Sequence, residues 1–339
     1  MGMHRAPRLA RLSVALATSV VLLGGCTGGR QSPSPAPPST VRSVPPATLV
    51  LRFAPAPFSL QAPIQREVAV ESNGTIFVAG GLDASGASVA GVFALDPVTG
   101  TLSGLGSVPH PFHDAAATVM GDRLVIFGGG AGQSSDAVQA FPLGGSAGSG
   151  QLIGHLPKPL SDLGAATIGD TVYVVGGFDG ISPQREVYAT TDGVRFRTVG
   201  TLPVGLRYAA VAPAGDRLVI AGGESANGPV ADVSSFDPAT GRVSSIGLLP
   251  APVGHASAFS LAGEVVVAGG QDASGHAVRT VERIDPAARA ITPARPLSRP
   301  VSDAAGTSGE ATGWLIGGWR GGAVAQVLEA TLESVGSSG

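Results

Sequence analysis

Leu218-Val219-Ile220-Ala221-Gly222-Gly223 is a short apolar run that stops at a pair of glycines, and the chain carries this device six times. The pairs fall at Gly80-Gly81, Gly128-Gly129, Gly176-Gly177, Gly222-Gly223, Gly269-Gly270 and Gly317-Gly318. The intervals between them are 48, 48, 46, 47 and 48 residues. A period kept that tightly marks an array of equivalent units, with small length differences absorbed in turns.

Around that run the fourth unit takes a regular form. Arg207 to Ala212 reads as an inner strand of small side chains, followed by a turn at Ala214-Gly215-Asp216 and then the apolar strand that ends at the glycines. A polar loop, Glu224 to Pro229, leads into the alternating third strand Asp232 to Phe236. Asp237-Pro238-Ala239-Thr240-Gly241 is the next turn, its proline pre-set for the first corner and its glycine supplying positive φ. Arg242 to Leu249 is the fourth strand. The same plan recurs along the chain: Asp96-Pro97 and Asp285-Pro286 repeat the outer turn, and Gly121-Asp122, Gly169-Asp170 and Gly263-Glu264 repeat the first hairpin. Six units of four antiparallel strands predict an all-β, six-bladed β-propeller. The last unit, Val301 to Leu332, offers only three strands. Leu49 to Phe53 is expected to supply the fourth and close the ring, leaving no long open edge. Gly144 to Gly150 replaces the aspartate-proline turn of its unit and reads as unconstrained surface.

Glycine pair, preceding apolar strand and following aspartate-proline turn together resemble the kelch repeat, over roughly residues 62 to 333. The tyrosine and tryptophan usual in later kelch strands are here mostly Phe, Val, Ile or Leu. The resemblance implies that two sets of loops share one face, where kelch proteins usually bind ligands. Carried over position by position, it places Arg66, Asp114, Asp162, Arg207 or Tyr208, His255 and Asp303 around the axial mouth, counting one extra residue in the fourth unit. A second ring just after the pairs offers Asp83, Asp179, Glu224, Asp272, Trp319 and Arg320. Going round, Asp303 and Asp114 flank Arg66 and Asp162 flanks Arg207, so structural pairing between blades competes with a binding role for these charges.

The N-terminus is a separate object. Arg5, Arg8 and Arg11 precede an apolar run from Leu12 to Leu23, too short to span a bilayer. A basic segment, an apolar segment and then small residues describe an export signal over residues 1–25. Its end, Leu23-Gly24-Gly25-Cys26, resembles the lipobox of bacterial lipoproteins, which implies cleavage before Cys26 and lipid on its thiol. Cys26 is the sole cysteine, so no intramolecular disulfide forms. Residues 26–47 form a Pro- and Ser-rich tether that cannot bury a core, and the propeller is expected over 48–335.

Composition narrows the function. Charged residues make up 13% of the chain and the formal net charge is -3, with no basic face for nucleic acid. His110 and His113 have no companions at zinc-like spacing. Asp83-Ala84-Ser85-Gly86 and Asp272-Ala273-Ser274-Gly275 lack the remaining ligands of a calcium loop and read as Asx turns. No helix follows the glycines at 128–132, which excludes a phosphate loop. No metal or other cofactor is therefore expected. Copper radical oxidases built on kelch blades need a cysteine cross-linked to tyrosine, and the one cysteine here is assigned to lipid. The expectation is a monomeric, membrane-anchored lipoprotein that recognises an extracellular protein, peptide or glycan. A carbohydrate-active enzyme resembling a sialic acid mutarotase or a lyase, and a structural envelope component, remain alternatives.

Overall fold

A computed structural model describes residues 48–144 and 148–335. The expected signal segment, Cys26 and the tether at 26–47 lie outside the described residues.

Alternation of small or apolar side chains with two-residue turns folds the chain into successive antiparallel meanders. Val68–Ser72, Thr75–Ala79, Val89–Leu95 and Leu102–Phe112 make the first blade. Ala116–Met120, Arg123–Phe127, Ser135–Pro142 and Gln151–Leu160 make the second. Gly164–Ile168, Thr171–Val175, Glu186–Thr190 and Arg197–Thr201 make the third. Ala210–Ala214, Arg217–Ala221, Asp232–Asp237 and Arg242–Leu248 make the fourth, and Ser257–Leu261, Glu264–Ala268, Val281–Asp285 and Ala290–Pro293 the fifth. Ala305–Ser308, Thr312–Ile316 and Val327–Val335 begin the sixth, which Thr48–Pro55 completes. Each innermost strand packs beside the next, and the sixth beside the first, so the six sheets form a closed propeller.

Closure follows the expected route. Thr48–Pro55 runs antiparallel to the sixth blade's third strand, from Thr48 opposite Val335 to Pro55 opposite Leu328. Leu51 is buried in the interface with the fifth blade, and Phe53 meets Phe259 edge-on at 6.2 Å. This register also puts Thr48 and Val335 together at the blade end carrying the aspartate-proline turns, away from the glycine pairs. The domain's chain therefore enters and leaves on the face opposite the mouth.

The core is distributed. Each of six clusters of buried apolar side chains lies between two neighbouring blades, such as Val219, Val233, Val253, Val265 and Ile284 between the fourth and fifth. Second strands are covered on both faces, which is why Leu124 to Phe127 is an unbroken buried run. The glycine pairs end these strands with positive φ at both residues, 59° and 98° at Gly222 and Gly223. A Cβ on Gly222 would stand 2.4 Å from the carbonyl oxygen of Val253, and the amide of Gly223 donates to that same oxygen at 2.8 Å. No other residue type accepts both the φ and the approach.

One loop departs from expectation. Gly148–Ser149, in the stretch read as unconstrained surface, pairs in parallel with Gly106 and Ser107 and adds a short fifth strand to the first blade. Gly106 permits it: a Cβ there would stand within bonding distance of the Gly148 carbonyl oxygen.

Candidate functional site

Six residues, each two before the start of an inner strand, form the floor of the mouth. Arg66, Asp114, Asp162, Tyr208, His255 and Asp303 all adopt the left-handed conformation, with φ between 51° and 58°. Each amide donates to the carbonyl of its counterpart in the preceding blade, and Arg66 donates to Asp303, so six hydrogen bonds of 2.8–3.2 Å form a closed ring around the axis. A non-glycine residue in this conformation costs roughly 1–2 kcal/mol. Asp and His tolerate it better than most, and the cyclic hydrogen bonding imposes it on Arg66 and Tyr208 as well.

This ring corrects the reading of the fourth unit. Tyr208, not Arg207, is the equivalent residue, standing fourteen before Gly222 as every member stands before its own glycine pair; the unit has no extra residue there. Arg207 sits one position earlier, in the place held by His113 and Ser161 in neighbouring blades, and bridges to Glu224.

Side chains above the floor form one continuous network. Arg66 Nη1 donates to Asp114 Oδ2 at 2.9 Å and to the Tyr208 hydroxyl at 3.2 Å, while its Nε stands 3.2 Å from Asp303 Oδ1. Asp303 Oδ1 also takes Nδ1 of His255 at 2.7 Å, and Nε2 of His255 lies 3.4 Å from Glu224 Oε1. Glu224 Oε2 accepts from Nε and Nη2 of Arg207, at 3.1 and 2.9 Å. The Tyr208 ring stacks on His255 with centroids 3.6 Å apart, and the Arg207 guanidinium lies over the rings of Phe178 and Tyr208. The expected pairing of Arg66 with both Asp114 and Asp303 is present, whereas Arg207 chiefly serves Glu224 and stands 3.7 Å from Asp162.

Above blades two to four the network borders an open cavity of about 640 Å³. Asp114, Asp162, Arg207, Tyr208, Phe178 and Asp179 are among its walls. Gly130 of the second blade stands where the third and fourth place Phe178 and Glu224 directly after the pair, and Gly130, Gly132 and Gly180 line the hollow. A smaller hollow of about 120 Å³ sits on the axis beneath the ring, with Glu67 in its wall.

Electrostatics divide the carboxylates. Burial alone depresses the His255 imidazolium, but hydrogen bonds to Asp303 and Glu224 and their charges outweigh it and carry the group up to about 9. Burial likewise raises Asp303, yet the bond to His255 and the charges of His255 and Arg66 hold it below the ordinary range. Glu224 is lowered by the same imidazole. Asp162 goes the other way, to about 6: burial raises it, the charge of Asp114 adds, and Ser161, Arg207 and Tyr208 do not compensate. Burial and Arg66 hold His113 below its usual range.

Of the remaining expected residues, Trp319 and Arg320 stand apart from the cavity. Trp319 pairs through its backbone with Ser302, and Arg320 donates to the Pro300 carbonyl and to Gln326. Asp83 and Asp272 close Asx turns on their own loops, as the sequence suggested, and Asp179 combines such a turn with a place in the cavity wall. The second ring thus mixes two registers: Glu224 and Trp319 directly follow their pairs, and the four others stand one residue later. Phe178, Ser134 and Ser161 escaped the sequence reading; Phe178 and Ser161 had a signal, since they share register with Glu224 and Arg207. Among the described residues no cluster of three or more His, Cys, Asp or Glu is arranged to hold a metal ion.

Comparison with known proteins agrees with this architecture. No curated protein matches the chain. A family model for the kelch motif matches residues 159–189, which run from the entry into the third blade, through its glycine pair, to its third strand. With six four-stranded blades, six glycine pairs at equivalent strand ends and closure by the N-terminal strand, the fold is a kelch-type six-bladed β-propeller.

Proposed function

We propose that this protein is an exported bacterial lipoprotein, held on the outer face of the cell membrane by lipid on Cys26, whose propeller binds an extracellular protein, peptide or glycan at its mouth without turning it over. One observation carries the binding role: equivalent positions of a repeated scaffold hold unlike side chains, and these border an open polar cavity of about 640 Å³. Packing demands similar residues at equivalent places, so their divergence here reflects a demand other than packing. The charge pairs of the network hold the cavity's shape, and its open side lies on the face away from Thr48, where a tether would attach.

Arrays of glycans and peptides probed with the wild type and with the double variant Asp162→Asn/Arg207→Gln test this. The wild type should bind a defined set of spots, and the variant should lose them while its melting temperature holds to within a few degrees. An empty wild-type array, or unchanged binding by the variant, refutes the reading. Loss of membrane association and of palmitate labelling in Cys26→Ser tests the anchor. A second reading, acid–base turnover of a carbohydrate, is favoured by the raised Asp162 carboxyl, a pattern found at catalytic sites. It requires Asp162→Asn to abolish turnover while ligand affinity is unchanged.

A further inference from the structure

The mouth has more carboxylates than cations to match them. Asp114, Asp162, Asp179, Glu224 and Asp303 face Arg66, Arg207 and His255. Four of the five acids are engaged. Asp114 and Asp303 hold Arg66, Asp303 and Glu224 hold His255, and Glu224 holds Arg207. Asp179 accepts the amides of Ile181 and Ser182 and the side chain of Gln184. Asp162 is the buried acid without a cation in hydrogen-bond reach; its donors are the hydroxyls of Ser161 and Tyr208. It is 7% exposed, borders both the cavity and the axial hollow, and its nearest cation, Nη1 of Arg207, stands at 3.7 Å, beyond a hydrogen bond. A buried carboxylate held only by neutral hydroxyls is a destabilised anion, and a ligand cation that reaches it recovers that interaction.

We propose that the mouth cavity takes a ligand carrying a protonated primary amine, and that its ammonium docks on the carboxylate of Asp162. The inference rests on the mouth being a binding site and names the chemistry it selects. An ammonium suits the position because its three donors rotate to meet acceptors, and Asp162, Asp114 and the hydroxyl of Ser161 all border the cavity. The groups facing Asp162 are Asp114 and His113 from the preceding crossing and Arg207 and Tyr208 from the following one, with Arg66 committed to Asp114. Docking needs an ionised Asp162, so acidification through about 6 should weaken it. His113 gains a proton in the same direction and adds to the effect.

The amine has two plausible chemical sources, an amino sugar or a lysine side chain, and matched probes separate them. Calorimetry on the full-length protein uses tetrameric glucosamine with its N-acetylated counterpart, and acetyl-Gly-Lys-Gly-amide with its Nε-acetyl-lysine counterpart. One amine probe should bind at pH 7.5, identifying the source, and its acetylated counterpart at least tenfold more weakly. For the lysine probe, whose ammonium stays protonated throughout, binding should fall about tenfold between pH 7.5 and 5, and the fall should persist in His113→Gln; for the amino sugar, whose own amine gains protons over the same range, Asp162→Asn is the deciding variant. Asp162→Asn, which keeps a residue suited to the left-handed conformation, should remove binding without loss of thermal stability. Equal binding of the acetylated probes, undiminished binding by Asp162→Asn, or no binding of either amine at millimolar concentration overturns the proposal. If neutral or acidic spots on the arrays bind and Asp162→Asn alone leaves them intact, only the amine docking falls. Arrays that are empty remove the mouth as a binding site altogether.

Discussion

Replacing Glu67 with leucine should stabilise this protein, because the carboxyl is buried in a slot built for an apolar group. Glu67 follows Arg66 at the start of the first blade; the same position holds Ala115, Leu163, Ala209, Ala256 and Ala304 in the others. Both of its carboxyl oxygens are buried with no well-formed hydrogen bond, only the amides of Glu67 and Ala305 near by, and one presses against the bare Cα of Gly317, where an added Cβ would meet it. Burial pushes the group up to about 8, against 4.5 for an ordinary glutamate; the backbone amides of Glu67 and Ala305 offset only part of it, and the charge of Asp303 adds a little. The folded state therefore binds a proton that the unfolded state releases. Stability is highest below about pH 4.5, falls as pH rises toward 8, and is level beyond. At pH 7 the accumulated penalty is about 3 kcal/mol, and at pH 5 about 1 kcal/mol. Glu67→Leu removes it. With a melting entropy of about 2.1 cal/mol/K per residue, the gain at pH 7 raises Tm by about 5 °C. Urea or thermal unfolding of wild type and variant at pH 5, 7 and 8.5 decides the matter. A destabilised variant, or a gain that does not grow with pH, refutes the reasoning.

Three further outcomes follow from the ring and its turns. Deleting Thr48 to Ala54 strips the sixth blade of its outer strand and exposes the cluster around Leu51; a loss of at least about 5 kcal/mol is expected in denaturant unfolding, and an unchanged transition contradicts closure. His255→Asn leaves Asp303 buried without its imidazolium and should cost about 3 kcal/mol. Because that imidazole titrates near 9, the wild type's advantage should be complete below about pH 6.5 and disappear as pH rises through 9, with no such trend if His255 is merely packed. Ala262, at φ 51° before Gly263, occupies the first corner of a hairpin that Asn73-Gly74 builds in the first blade. Ala262→Asn should therefore stabilise by about 1 kcal/mol in thermal melts.

Much of this was legible in the sequence because packing repeats itself. The glycine pairs recur because each strand end turns back against the carbonyl of a neighbouring crossing, and the aspartates of the Asp-Pro turns recur because each caps backbone amides, as Asp237 does for Ala239. Strand counting found the missing outer strand at Leu49 to Phe53 for the same reason. Less legible were the cavity walls and anything set by depth. The cavity is lined in part by Gly130 and Gly132, which read in sequence only as loop glycines. The sequence placed Arg66 at the mouth but carried no sign that Glu67 is buried, one residue on, between blades. Tyr208 was ambiguous beside Arg207 because both are large and polar, and only the closed ring of amides separates them. The short parallel strand at Gly148–Ser149 has no hydrophobic pattern to announce it.

The central geometric claim is that residues from the two ends of the domain are neighbours at a single mouth. A double-mutant cycle on Arg66 and Asp303, read by urea unfolding with Arg66→Gln, Asp303→Asn and the pair, tests it most directly. With Nε of Arg66 3.2 Å from Oδ1 of Asp303 in a buried network, the coupling should be about 1–3 kcal/mol. Strictly additive effects would mean that the two side chains never meet, and the mouth assembled here would not exist.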